Sequence, residues 1–212
     1  TGNVLVPLWG KDSFQEVDIT GITMPITKHN FIVKDVKDLA PTMRRAFRIA
    51  QEGRPGPVLI DLPKDITVHT TDYETETIEA IAPRTDRLRE KSLQQALELI
   101  KGSERPMCYV GGGAIRAKAS EELSEFLTLI DSPACTSLMG SGAISSLDAR
   151  FTGLVGMHGT KVSNMLVSAC DLLIVIGARF SDRVVSKASS FARNARIIHI
   201  DVDPAEIDKN IK

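Results

Sequence analysis

The sequence predicts an α/β fold: a doubly wound parallel sheet preceded by part of a second α/β domain. Three observations carry that expectation. Short apolar runs at residues 58–62, 107–110 and 172–176 lack polar alternation, the pattern of strands covered on both faces. Between such runs lie segments whose apolar residues recur at three-and-four spacing, the mark of amphipathic helices. Strand-like runs also end in glycine, at Gly111-Gly112-Gly113 and at Gly177, where a chain turns tightly out of a strand. Strands alternating with helices of about 10 to 15 residues build a parallel sheet with helices on both faces.

Taken in chain order, residues 1–30 show weak periodicity and turn signals at Gly2, Pro7, Gly10 and Pro25, which predicts loops with short elements. From Asp38, the apolar positions Leu39, Met43, Ala46, Phe47 and Ala50 predict one amphipathic helix, with Pro41 in its first turn and Gly53 as its stop. Arg54-Pro55-Gly56-Pro57 breaks the chain before the strand at 58–62. Residues from His69 to about Arg89 are Thr- and Glu-rich with a single aromatic, Tyr73, and read as an interdomain linker. A capping box of Ser92 and Gln95 opens the next expected helix, which carries Leu93, Ala96, Leu97 and Ile100 and ends at Gly102. A strand at 107–110 follows, then a helix bearing Leu123, Phe126, Leu127 and Ile130, and a strand at 134–137 after Pro133. Val162, Met165, Leu166 and Ala169 mark a further helix, before strands at 172–176 and 197–202.

The 212 residues, 42% hydrophobic and 25% charged, exclude a collagen, a coiled coil and wholesale disorder. No apolar run approaches the roughly 18 residues that span a bilayer, so a soluble chain is expected. With 26 basic against 27 acidic residues, no global field draws the chain to nucleic acid or to an acidic membrane. The three cysteines, Cys108, Cys135 and Cys170, are far apart and set among apolar neighbours, which argues against a disulfide frame or zinc cluster and for a reducing compartment such as the cytoplasm. The first residue is Thr1, no secretory leader follows it, and residues 207–212 read as a helix just begun, so truncation at both ends is expected.

In open parallel sheets, ligands bind beyond the carboxyl ends of the strands. Four such ends offer glycines for close approach, a cation for phosphate, or a carboxylate for ribose hydroxyls: Gly111-Gly112-Gly113, Ser137-Leu138-Met139-Gly140, Gly177-Ala178-Arg179 and Asp201-Val202-Asp203. Each could be no more than a tight turn; together they describe a dinucleotide edge. Gly111 and Gly113 begin a G-x-G-x-x-G pattern, but Arg116 replaces its third glycine, so a Rossmann NAD site is not supported. Arg179 and Arg183, four apart, would face one way on a helical turn and grip a pyrophosphate; the alternative is a solvated Asp182/Arg183 surface. Gly156-Met157-His158-Gly159-Thr160 precedes a helix, a natural anion position. His158 with Ser163 lacks the elbow and orienting group of a hydrolase, and His29, His69 and His199 show no metal-ligand spacing.

Beyond these readings, several stretches resemble the acetolactate (acetohydroxyacid) synthase large catalytic subunits. They are Phe14-Gln15-Glu16, Pro25-Ile26-Thr27-Lys28-His29-Asn30, Gly53-Arg54-Pro55-Gly56-Pro57-Val58, Pro63-Lys64-Asp65, the triple glycine, Leu138-Met139-Gly140, the 156–160 stretch, and Gly177-Ala178-Arg179-Phe180 with Asp182-Arg183. The resemblance runs almost end to end and in order. It implies a transferase that uses thiamine diphosphate and Mg2+ to decarboxylate pyruvate and join the two-carbon unit to a second 2-keto acid, pyruvate or 2-ketobutyrate, in branched-chain amino-acid biosynthesis. It also implies a bound FAD that does no net redox work, and a homodimer or tetramer; it leaves open a small regulatory subunit. Residues 1–68 would be the closing part of the pyrimidine-binding domain, 69–88 a linker, and 89–212 most of the central FAD-binding domain.

By the same resemblance, Arg54 would reach the flavin from the first domain, and Gly111, Gly112 and Gly113 would cradle it. Ser137, Leu138, Met139, Met157, His158, Gly159, Thr160, Gly177, Ala178, Arg179, Arg183, Val184, Asp201 and Val202 would line it. Phe14, Gln15 and Lys64 would stand at the mouth of the substrate channel, with Lys64 drawing in a keto acid. The activating glutamate would precede Thr1 and the metal and diphosphate motif would follow Lys212, so neither a catalytic residue nor a metal ligand is assigned here. Ser181 departs from the family's second Asp. Pyruvate oxidases and glyoxylate carboligase are the nearest rival readings, with a non-catalytic nucleotide-binding module as a different class.

Overall fold

The computed structural model describes residues 1–77, 81 and 88–212, and the chain forms two compact units, Thr1–Arg84 and Thr85–Lys212. The first contains β1 (Gly2–Asn3), α1 (Ile19–Thr23), β2 (His29–Ile32), α2 (Leu39–Gln51) and β3 (Val58–Pro63). Its sheet is wholly parallel, in the order β1-β3-β2. The polar residue inside β3 has a clear purpose. Asp61 is fully buried, and its carboxylate accepts hydrogen bonds from Thr1 Oγ1 at 2.9 Å and Asn3 Nδ2 at 2.6 Å, which fastens the two-residue β1 to the sheet.

α2 ends close to the expected stop: Glu52 is already extended and Gly53 takes φ +61°, a conformation glycine adopts freely. The Lys28 ammonium donates to the carbonyls of Ile49 and Glu52, covering acceptors that the last helical turn leaves open. β2 was not legible as a strand. Part of the expected linker lies outside the described residues, but Tyr73, Glu74 and Glu76 are held to α2 by Arg44, through a ring contact at 5.7 Å, a hydrogen bond at 3.2 Å and an ion pair at 3.4 Å.

The second unit runs α3 (Glu90–Lys101), β4 (Pro106–Val110), α4 (Gly112–Arg116), α5 (Ser120–Leu129), β5 (Ala134–Thr136), β6 (Phe151–Leu154), α6 (Lys161–Ala169), β7 (Leu172–Ile176), α7 (Asp182–Val185) and β8 (Arg196–Ile200). All five strands are parallel, in the order β6-β5-β4-β7-β8. The chain starts at the centre in β4, steps outward twice to β6, then returns past β4 to lay down β7 and β8. This is the doubly wound sheet expected.

The continuous apolar runs follow from that architecture. Successive side chains of a strand point to opposite faces. Met107, Tyr109, Leu173 and Val175 join one core with Val167 of α6 and Val185 of α7. Cys108, Val110, Leu172 and Ile174 join the other with Ala114 of α4 and Leu123 and Leu127 of α5. The three cysteines are free thiols buried in these layers. Burial pushes the Cys108 and Cys170 thiols up to about 11, so they pack as small apolar groups.

Three local expectations are corrected. α3 begins at Glu90 with Arg89 extended before it, so Ser92 lies inside the first turn and the Ser92/Gln95 capping box does not form. Residues 204–208 form turns, with Asp208 at φ +58°, where the sequence predicts the opening of a new helix from Ile207. α7 contains Arg183 but not Arg179, which precedes it in an irregular loop, so the two arginines do not share a helical face. No helix among the described residues is long and apolar enough to cross a membrane.

Candidate ligand site at the carboxyl edge of the second sheet

A doubly wound sheet opens a crevice where the strand order reverses, and here that point lies between the carboxyl ends of β4 and β7. The two strands are paired along their length, from Pro106 opposite Leu172 to Val110 opposite Ile176. Their following turns pack backbone to backbone. Gly111 N–H donates to the Ile176 carbonyl and Gly113 N–H to the Gly177 carbonyl, both at 2.9 Å. A Cβ on Gly111 would lie 2.2 Å from the Gly177 oxygen, and one on Gly113 would lie 2.6 Å from the Gly177 Cα. These glycines are therefore required first by the meeting of two turns. Gly112 faces a different neighbour, since a Cβ there would lie 2.9 Å from the Met139 carbonyl oxygen.

Neighbouring strand ends add to the same edge. After β5, Ser137 N–H donates to the Val110 carbonyl, and Ser137 Oγ accepts from Gly140 N–H at 3.1 Å, shaping a single turn that leaves Leu138 75% and Met139 70% exposed. After β6, Gly156 at φ +101° is buried against the Arg183 and Val184 backbone, and Met157 N–H donates to the Arg183 carbonyl at 2.9 Å. His158 is exposed and Gly159 N–H returns to the Gly156 carbonyl. Thr160 caps α6: its hydroxyl accepts from Ser163 N–H at 3.0 Å and donates to the Thr152 carbonyl at 2.8 Å. Ser163 is fully buried and bonded to Thr152 and Thr160, which leaves it no nucleophilic role.

After β7, Ala178 is buried and Arg179 exposed, and two side chains grip the backbone between them. Tyr109 OH donates to the Arg179 carbonyl at 3.3 Å, and His199 Nε2 lies 2.9 Å from the Ala178 carbonyl. A carbonyl only accepts, so His199 Nε2 is the donor in this contact; its ring also meets Phe180 edge to face at 5.1 Å. After β8, Asp201 Oδ1 accepts from Asp203 N–H at 2.9 Å in a tight turn, and Val202 stays exposed. Tyr109, Asn164 and His199 all hold loops at this edge, and none of the three carries a motif in the sequence that signals it.

The edge thus displays Leu138, Met139, Met157 and Val202 as exposed apolar side chains, with the exposed cations Arg179 and Arg183. Its chemistry suits a flat ring system bearing phosphate groups, because guanidinium groups bind phosphate through paired hydrogen bonds.

The first unit places its candidates separately. Phe14 is 89% exposed and Gln15 takes φ +67°, in a loop where the Glu16 carboxylate accepts the N–H groups of Ser13 and Gly10 and is held below its usual range. Lys64 is exposed immediately after β3, at the carboxyl end of that sheet, and its N–H donates to the Asn3 carbonyl at 3.1 Å. Arg54 is exposed in the turn before β3, at the opposite end of the same strand.

The family model for the thiamine pyrophosphate enzyme central domain matches residues 93–212, which span the five-stranded sheet and its edge. The chain belongs to the thiamine pyrophosphate enzyme family. Among curated relatives of this family member, the probable acetolactate synthase large subunit of Methanocaldococcus jannaschii is 48% identical over 100% of the chain and 37% of its own length. The acetolactate synthase large subunit of Parasynechococcus marenigrum is 46% identical over 100% of the chain and 35% of its own length. The isozyme 2 large subunit of Escherichia coli K12 is 44% identical over 99% of the chain and 38% of its own length. The chain thus spans little more than a third of the relatives it matches.

Proposed function

We propose that this chain is the flavin-holding portion of an acetolactate synthase large subunit, an enzyme that decarboxylates pyruvate and condenses the two-carbon unit with pyruvate or 2-ketobutyrate. The observation that carries the reading is the match to acetolactate synthase large subunits at 44–48% identity through both units, not the central domain alone. In this reading residues 1–68 close the pyrimidine-binding domain and 89–212 form the FAD domain. Leu138, Met139, Met157 and Val202 offer apolar surface to the flavin; Arg179 and Arg183 take its pyrophosphate; Asp201 faces its ribose. Phe14, Gln15 and Lys64 border the substrate channel. Thiamine diphosphate, when bound with Mg2+ by other parts of the enzyme, supplies the carbanion chemistry.

The enzyme works in the cytoplasm as a homodimer or tetramer, with or without a small regulatory subunit. The full-length protein, supplied with thiamine diphosphate, Mg2+ and FAD, should convert pyruvate to acetolactate, measured colorimetrically after acid decarboxylation to acetoin. Pyruvate decarboxylation with no acetolactate, or oxygen-dependent flavin turnover, would instead indicate one of the rival activities.

A further inference from the structure

The loop after β6 is held by a side chain outside it. Asn164, half-buried on the second turn of α6, accepts from Gly156 N–H through Oδ1 at 2.9 Å and donates through Nδ2 to the Gly156 carbonyl at 3.1 Å. Its carboxamide therefore pairs with one residue's backbone as a neighbouring strand would. That residue is unusual: Gly156 has φ +101°, and a Cβ there would lie 2.5 Å from the Arg183 carbonyl oxygen and 2.8 Å from the Val184 Cα. The next N–H, of Met157, bonds that same Arg183 carbonyl. Gly156 is the point where the loop carrying Met157 and His158 touches the segment carrying Arg183 and Val184, and Asn164 grips both backbone polar groups of that point.

We propose that Asn164 is a positioning residue for the flavin site, fixing through Gly156 the register between the 156–160 loop and Arg183–Val184. This rests on the flavin reading above. Loss of the clasp frees Gly156, whose backbone range is wide, so the two segments no longer hold one spacing and the flavin must order them as it binds. Thr160, anchored separately to Ser163 and Thr152, keeps α6 capped when Asn164 is changed.

The test is a flavin-fluorescence titration of the full-length apoprotein. Asn164→Ala should raise the FAD Kd about tenfold, the scale of one or two net hydrogen bonds. Asn164→Asp keeps the acceptor but sets a carboxylate oxygen against the Gly156 carbonyl, so it should weaken FAD similarly and provides a second variant if the alanine form does not fold. Leu127→Ala, which opens the core beneath α5 away from the loop, controls for general destabilisation and should leave the Kd within about twofold. If the Asn164 variants bind FAD no more weakly than Leu127→Ala, the positioning role is wrong. If the wild-type protein binds no FAD, the flavin reading itself fails, an outcome distinct from the first. Saturating FAD should restore the bound flavin's absorption spectrum in Asn164→Ala, which separates lost positioning from a lost contact group.

Discussion

Gly111 and Gly177 stand at the carboxyl ends of adjacent central strands so closely that a methyl group on the first would sit 2.2 Å from the carbonyl oxygen of the second. Gly177 also takes φ +56°, so each position excludes a side chain for its own reason. In the sequence the triple glycine resembles a cradle for a ligand. The structure shows that Gly111 and Gly113 serve first to bring two turns together, and the exposed side chains around them are what remains for a ligand.

Replacing Gly111 by alanine should therefore cost about 1–3 kcal/mol, the range for forcing atoms into a packed site. Gly177→Ala should cost about 1–2 kcal/mol from its backbone conformation alone. Urea unfolding of each variant measures this. A change under about 0.5 kcal/mol at Gly111, the size typical of neutral surface positions, would show that the turns are not locked together.

A second prediction concerns pH. The Ser103 hydroxyl, followed by the N–H groups of Glu104 and Arg105, donates to Asp171 and holds its carboxyl below the usual carboxylate range. A lowered folded-state value means the stabilisation is complete above the ordinary aspartate range and is lost as pH falls through the lowered value. Thermal melts of wild type and Asp171→Asn should differ most at neutral pH and converge as the pH falls below the ordinary aspartate range. A gap that widens on acidification would contradict the assignment.

Lys64 supplies the third. If it stands at the mouth of the substrate channel, Lys64→Ala in the full-length enzyme should raise the pyruvate KM several-fold and leave FAD content unchanged. Loss of FAD with intact pyruvate kinetics would place this residue at the wrong site.

What the sequence disclosed and what it hid have physical causes. β4 and β7 were legible because strands buried between helix layers must be apolar throughout, and the edge strand β8 because Ile197, Ile198 and Ile200 stand out among polar neighbours. β6 was not: Phe151-Thr152-Gly153-Leu154 has a glycine at φ +101° and sits at the sheet edge. β2, reading His29-Asn30-Phe31-Ile32, likewise gives no period. The capping box failed because α3 begins at Glu90, three residues earlier than a Ser92 N-cap implies. The glycine and arginine positions of the edge were visible as strand-end patterns. Asn164 was not, because its partner Gly156 lies eight residues back and the clasp exists only once the intervening loop has folded. Tyr109 and His199 look like ordinary strand residues until the 178–179 backbone comes to lie against them.

We propose that the carboxyl edge of the second sheet holds FAD. The most direct test is a titration of FAD into the full-length apoprotein, wild type and Arg179→Ala, followed by flavin fluorescence and by thermal melting. Saturation near 100 times Kd should stabilise the wild type by about 2.7 kcal/mol if only the folded state binds. Arg179→Ala should bind more weakly, by about 1.5–3 kcal/mol for a lost charged hydrogen bond. A wild-type protein that neither binds nor is stabilised by millimolar FAD, or an Arg179→Ala form that binds as tightly as wild type, would contradict the account.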